Sequence, residues 1–183
     1  MSLKAKLFSS IAAFALVACL LIVGVFALSP ANVGMNGTIT FTSSDVIATL
    51  TAKLDDGHSS QHEFSEIKID ENTDAVNDAA WDNISLAFTS HSDVISLDIT
   101  VTNDSTERAI DVTFTAPSGV DNVTVTSQYD DAASFTEGQE ISGPVRIETE
   151  QSATFRVTFD ITNEAESVDG TWSIGLNLAN VAE

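Results

Sequence analysis

The residues best suited to chemistry lie in one polar stretch, Asp55-Asp56-Gly57-His58-Ser59-Ser60-Gln61-His62-Glu63. His58 and His62 stand four apart, the spacing that puts two imidazoles on one helix face to hold zinc. The general-base Glu that should follow the first His is replaced by Ser59, and the inverted arrangement needs Glu where Gln61 stands. The turn residues around Gly57 point instead to a polar hairpin loop carrying two exposed imidazoles. His91-Ser92-Asp93 brings together three triad residue types, but a triad converges from separate elements, and neighbours in one turn cannot orient one another. Lys53 and Lys68 are the lysines available for an isopeptide bond to an Asn, and no pattern in the sequence marks such a bond. No enzyme is expected from these residues.

Carboxylates are the more abundant resource, since hard cations want several oxygens at once. The densest acidic loops are Asp70-Glu71-Asn72-Thr73-Asp74 and Tyr129-Asp130-Asp131, so Asp70, Glu71, Asp74, Asp130 and Asp131 are the candidate ligands of a structural Ca2+. Neither loop matches the EF-hand pattern. No cofactor is required by the sequence, and Ca2+ is the one these loops would suit. The plainer role of the acids is to keep the surface hydrated and soluble. Four Asn-x-Ser/Thr sites, at Asn36, Asn83, Asn103 and Asn122, fall near predicted strand ends where a glycan would point outward.

The elements that must position these residues are strands. Of the 183 residues 43% are hydrophobic and only 19% charged, with Thr, Ser, Val and Ile prominent, a β-type composition. Alternation of apolar and polar residues predicts strands at Thr38–Thr42, Val46–Ala52, Ile84–Phe88, Ile95–Thr102, Ile110–Phe114, Val123–Val125, Val145–Ile147 and Phe155–Ile161, with a less regular one over Glu63–Ile69. Trp172, Ile174, Leu176 and Leu178 close the chain in the same rhythm, which makes Trp172 a core residue. About ten short strands at this spacing predict an all-β fold, a two-sheet antiparallel sandwich of jelly-roll or Greek-key type. The one helix expected within it runs from Asp70 to Asp82, capped by Thr73, as a crossover between sheets.

The N-terminus sets the compartment. Lys4 and Lys6 precede an uncharged stretch from Leu7 to Leu28, and Val25-Phe26-Ala27 followed by Ser29-Pro30 reads as a signal-peptidase site after Ala27. Two other fates fit the same stretch. It is long enough to remain as a membrane-spanning helix with its N-terminus in the cytoplasm, and Leu16-Val17-Ala18-Cys19 fits the box before a lipid-modified cysteine. The division expected is therefore a signal peptide or membrane anchor over 1–27 and one β-sandwich domain over 28–183. Each fate makes the domain secreted or extracellular, or anchored at the cell surface, with membrane contact only through the N-terminal segment. The end of the chain shows no sortase-type tail, so covalent attachment to a wall is not expected.

Charge narrows the partners. The chain carries 27 Asp and Glu against 7 Lys and Arg, for a net charge of −20. Beyond Lys6 the basic residues are Lys53, Lys68, Arg108, Arg146 and Arg156, too few for phosphate contacts, so nucleic acid is excluded. Removing residues 1–27 deletes Lys4 and Lys6 and no acid, so the exported chain is more acidic still, and it contains no cysteine.

The leader, the Gly37-Thr38-Ile39-Thr40-Phe41-Thr42 strand, the Asp98-Ile99-Thr100-Val101-Thr102-Asn103 strand, and the closing run Ala153–Thr162 then Gly170-Thr171-Trp172-Ser173-Ile174 together resemble small exported jelly-roll proteins of the TasA/camelysin type. That type includes biofilm-matrix fibre subunits and archaeal bundling pilins. The resemblance implies an extracellular-matrix or cell-surface structural subunit that self-associates into fibres. It also implies the mode of assembly, in which the N-terminal segment leaves its own subunit and completes the sheet of the next by main-chain pairing. Carried over, the donor is Leu28–Thr42, with Ile39 and Phe41 filling the neighbour's groove. Camelysin has been described as a metalloprotease, and the missing Glu beside His58 separates this chain from that activity. The other expectation is a secreted monomeric sandwich that binds a polysaccharide or small ligand through its loops, with Trp81, Trp172 or Tyr129 as stacking platforms and Trp81 the best placed of them.

Overall fold

The computed structural model describes residues 33–55, 63–70, 79–88, 93–117, 123–161 and 169–181. Every one of these lies in the unit Asn32–Glu183, which is compact in itself. The leader over 1–27 and the His58/His62 cluster lie outside the described residues, as do His91 and Ser92.

Eleven strands are described: β1 (Val33–Ser44), β2 (Ala48–Asp55), β3 (Ile67–Ile69), β4 (Ala79–Phe88), β5 (Val94–Asn103), β6 (Ile110–Thr115), β7 (Thr124–Asp130), β8 (Gln139–Glu140), β9 (Val145–Ile147), β10 (Ser152–Asp160) and β11 (Asp169–Asn180). They form a five-stranded sheet in the order β4-β1-β11-β6-β9 and a six-stranded sheet in the order β3-β2-β5-β10-β7-β8. The all-β expectation holds, and among the described residues there is no helix.

The two sheets meet through side chains that the period-two rhythm turns to one face. Ile95, Leu97, Ile99 and Val101 of β5 and Phe155, Val157 and Phe159 of β10 are fully buried, as are Ile174, Leu176 and Leu178 of β11. Aromatic rings bridge the layers. Phe114 of β6 stacks on Phe155 at 5.5 Å, and Phe159 of β10 lies 5.2 Å from Trp172 of β11. Trp172 is therefore core, and its indole covers Gly37 of β1 so closely that a Cβ there would fall 2.0 Å from a ring carbon.

The structure corrects several sequence expectations. The sheets are not wholly antiparallel: β1 runs parallel to β11 from Gly34 to Ser44, because the first and last long strands enter the five-stranded sheet in the same direction. The crossover helix is absent at its C-terminal end, where Ala79, Ala80, Trp81 and Asp82 are strand; residues 71–78 lie outside the described residues. A bulge explains the misreading. The register of β4 on β1 slips between Gly37 and Ile39, so that Asp82 and Asn83 together face Thr38, and Asn83 takes a left-handed φ of 57°. That extra residue interrupts the alternation of Ile84–Phe88 before it reaches Trp81, so the stretch up to Asp82 loses its strand signature. The strand expected over Glu63–Ile69 is confined to Ile67–Ile69. Tyr129 and Asp130, read as a loop, are the end of β7.

Candidate functional site

β1 is the strand on which assembly was expected to depend. It lies inside the five-stranded sheet with antiparallel β4 on one side and parallel β11 on the other, so both of its main-chain edges are paired within the chain. Alternation sends Met35, Ile39 and Phe41 inward, each with no exposed surface. Phe41 meets the edge of Trp81 at 5.0 Å. Ile39 and Phe41 thus fill a groove between β4 and β11 of their own chain; the part of the donor segment before residue 33 lies outside the described residues.

The junction that follows is short. Only Asp45, Val46 and Ile47 separate β1 in one sheet from β2 in the other. Asp45 has a φ of 52°, in the left-handed region that β-carbon sterics disfavour. Its carbonyl accepts the Asn180 side-chain amide from the end of β11. On the far side, Asp104 N–H donates to the Ile47 carbonyl at 3.1 Å, and Thr49 Oγ1 donates to the Asp104 carboxylate at 2.6 Å. Nothing in the sequence announced this hinge, because Asp at a positive φ looks like any turn Asp.

Of the acidic residues named as Ca2+ ligands, Asp70, Asp130 and Asp131 lie among the described residues. Asp70 is exposed just after β3, and Glu71 and Asp74 lie outside the described residues. Asp130 uses its Oδ2 to accept from Glu137 N–H at 2.9 Å, Thr136 N–H at 2.7 Å and Thr136 Oγ1 at 2.9 Å. These donors, that of Glu137 foremost, hold its carboxyl below the usual carboxylate range. Asp131 accepts from Gln139 Nε2 at 3.4 Å. Among the described residues no three His, Cys, Asp or Glu side chains converge. Asp130 is seen instead to organise the loop that follows it.

That loop covers a charge pair on the outer face of the six-stranded sheet. Arg156 of β10 grips Asp98 of β5 through two bonds, Nε to Oδ1 at 2.6 Å and a terminal nitrogen to Oδ2 at 2.8 Å. Phe135 lies over the guanidinium at 4.1 Å, Thr154 Oγ1 donates to the Ala132 carbonyl at 2.8 Å, and Lys53 stands 3.8 Å from Asp98. Asp98 is only 1% exposed. The sequence showed Asp98 and Arg156 in the polar phase of two strands, and only the pairing of β5 with β10 brings them opposite.

The structure places three further sequence candidates. Trp81 is 5% exposed and donates its indole N–H to the Ser65 carbonyl at 2.8 Å, so it is core and offers no stacking platform. Tyr129 is half-buried against Phe155, its hydroxyl on Gln139 Oε1. Asn103 is fully buried, its amide shared among the carbonyls of Arg108, Ile147 and Glu148 and its side-chain oxygen accepting from Ser105 N–H, so it presents nothing to a glycan. Asn36 and Asn83 are exposed, and Asn122 lies outside the described residues.

Two shallow hollows of about 270 Å³ each share Arg146 and Glu148, which pair at 2.8 Å. One adds Asp131 and Gln151, the other Glu107 and Arg108, so neither concentrates one kind of charge. Compared with protein-family models and with curated protein sequences, the chain matches none.

Proposed function

We propose that this protein is an exported, non-enzymatic structural subunit of a cell surface or extracellular matrix, of TasA-like jelly-roll type, whose copies join by exchange of β1. The observation that carries this reading is the place of β1. It is the N-terminal strand of the described fold, it fills a groove with Met35, Ile39 and Phe41, and its covalent link to the other described strands is the short hinge at Asp45. A strand so placed has two equivalent destinations, its own groove and that of the next copy, because the same contacts form in either. A short strained hinge favours the second by relaxing when it extends. The other edges suit this scheme: β3, β8 and β9 are two or three residues long, and the longer β4 carries the bulge at Asp82 and Asn83. Short or kinked edges do not template unregulated pairing.

The test uses residues 28–183, which contain every described strand and no native cysteine. Asn36 and Ser85 are partners across β1 and β4, so the Asn36→Cys/Ser85→Cys variant forms a disulfide within the chain if β1 stays at home and between chains if it is exchanged. A non-reducing ladder of covalent multimers, with fibres by negative-stain microscopy, is expected. Oxidation to monomer alone at every concentration overturns the exchange.

A further inference from the structure

We infer that the outer face of the five-stranded sheet is a contact surface for a second copy of this chain, the two copies lying sheet to sheet. The face is built by the outward residues of four strands. β1 gives Asn36, Thr38, Thr40 and Thr42, and β11 gives Thr171, Ser173, Gly175 and Asn177 beside them in register. β6 adds Thr113 and Thr115, and β4 adds Ala80, Ser85 and Ala87. None of these is buried. From Val33 to Ser44 and from Gly170 to Asn180 the sequence has no charged residue at all, in a chain of net charge −20. Charge enters on the flanking strands and at one end: Asp82 at the bulge of the edge strand β4, level with Thr38, Asp111 of β6 opposite Arg146 of β9, and Asp169 at the first position of β11.

Charge selects the occupant. A cationic partner would seek the acidic remainder of the surface, whereas two copies of a strongly acidic chain repel each other everywhere except where neither carries charge. The outer face of the other sheet makes the contrast, since Lys53, Asp98 and Arg156 lie on it and the 131–138 loop crosses it. A glycan is less well served, because the outward residues just named include no aromatic ring on which a sugar would stack.

Shape and solvation favour the same occupant. All these side chains are small, so the face is shallow and two such faces approach closely. Thr40 Oγ1 already donates to the Ile174 carbonyl at 3.3 Å and Thr42 Oγ1 to Asn177 Oδ1 at 3.2 Å, so part of the desolvation demand is met before a partner arrives. With a rise of about 3.3 Å per residue from Asn36 to Thr42 and roughly 4.8 Å for each of four strands, the face measures roughly 440 Å². That is about half of the roughly 800 Å² per partner of a standard interface, the size of a weak, concentration-dependent contact.

This contact rests on self-association but not on strand exchange, and the experiment separates the two. Sedimentation velocity of residues 28–183 in 0.5 M NaCl, where long-range repulsion is screened, is expected to show concentration-dependent association. Thr40→Glu/Ser173→Glu is expected to weaken it at least tenfold, while Thr51→Glu, exposed on β2 of the other sheet, leaves it unchanged. Thermal melts check that the variants fold, and Asn177→Glu serves as a second variant should the pair melt early. Equal weakening by Thr51→Glu, no weakening by the face variants, or a monomer throughout overturns the inference. Glycan binding by a persistent monomer, lost in the face variants, would assign the face to a polysaccharide instead. Association lost in the face variants while the Asn36/Ser85 cysteine pair closes only within the chain would leave this contact standing and remove strand exchange.

Discussion

Asp98 is the one buried charged side chain among the described residues, and it survives burial because everything around it answers its charge. The fork of Arg156 supplies two short bonds in the geometry a carboxylate prefers, and Phe135 shields the guanidinium from water. Lys53, largely exposed at 3.8 Å, contributes little. Such a pair stabilises less than its bond count suggests, since both ions gave up solvation, but breaking it strands a charge. Arg156→Met should therefore cost about 3 kcal/mol, the lower end of the range for a buried pair because Arg156 keeps a quarter of its surface. Replacing both, Asp98→Leu with Arg156→Met, should recover most of that loss. Urea unfolding of the two variants and the parent measures it, and a double variant less stable than Arg156→Met would show that the pair contributes net stability.

At the scale of elements, the hinge between β1 and β2 decides whether β1 stays or leaves. Asp tolerates a left-handed φ better than most residues, glycine adopts it freely, and a β-branched residue resists it. With the Asn36/Ser85 cysteine pair as the reader, the fraction of covalent multimers should fall in Asp45→Gly and rise in Asp45→Val relative to the parent. A difference of about 1 kcal/mol in the closed state corresponds to roughly a fivefold change in that fraction. A flat or reversed order would mean that Asp45 is not the strained joint. Elements also set what could be read in advance. β5 and β10 were legible because Ile95, Leu97, Ile99, Phe155, Val157 and Phe159 alternate without interruption, and alternation is a property of the sequence itself. β4 was legible in its second half, Ile84–Phe88, and lost before it, since the bulge at Asp82 and Asn83 breaks the period. The parallel pairing of β1 with β11 and the meeting of Asp98 with Arg156 depend on which strands become neighbours, a tertiary fact that the pattern within one strand does not contain. The hinge at Asp45 was hidden for a related reason, because φ there is imposed by the two sheets it connects.

For the whole molecule the dominant physical quantity is the charge of −20, gathered on one modest domain. Self-repulsion opposes both folding and approach of copies, and salt relieves it over a Debye length of about 8 Å at physiological ionic strength. The melting temperature of residues 28–183 should accordingly rise continuously from low salt to 0.5 M NaCl, without the saturation that marks a site. Calcium separates the general effect from a specific one. Screening by Ca2+ at low salt should raise the melting temperature more than an equal concentration of NaCl, and that excess should vanish in 0.5 M NaCl, because a diffuse divalent cloud is displaced by monovalent ions. A cage of carboxylates would behave differently: its stabilisation follows the occupancy of a site and persists in high salt. The geometry favours the diffuse outcome. Asp130 is engaged by the backbone and side chain of its own loop, and Asp70 follows the edge strand β3 whereas Asp131 follows β7, near the other end of the strand order. An excess stabilisation by Ca2+ that saturates below a millimolar and survives 0.5 M NaCl would overturn this and direct attention to Glu71 and Asp74 beside Asp70.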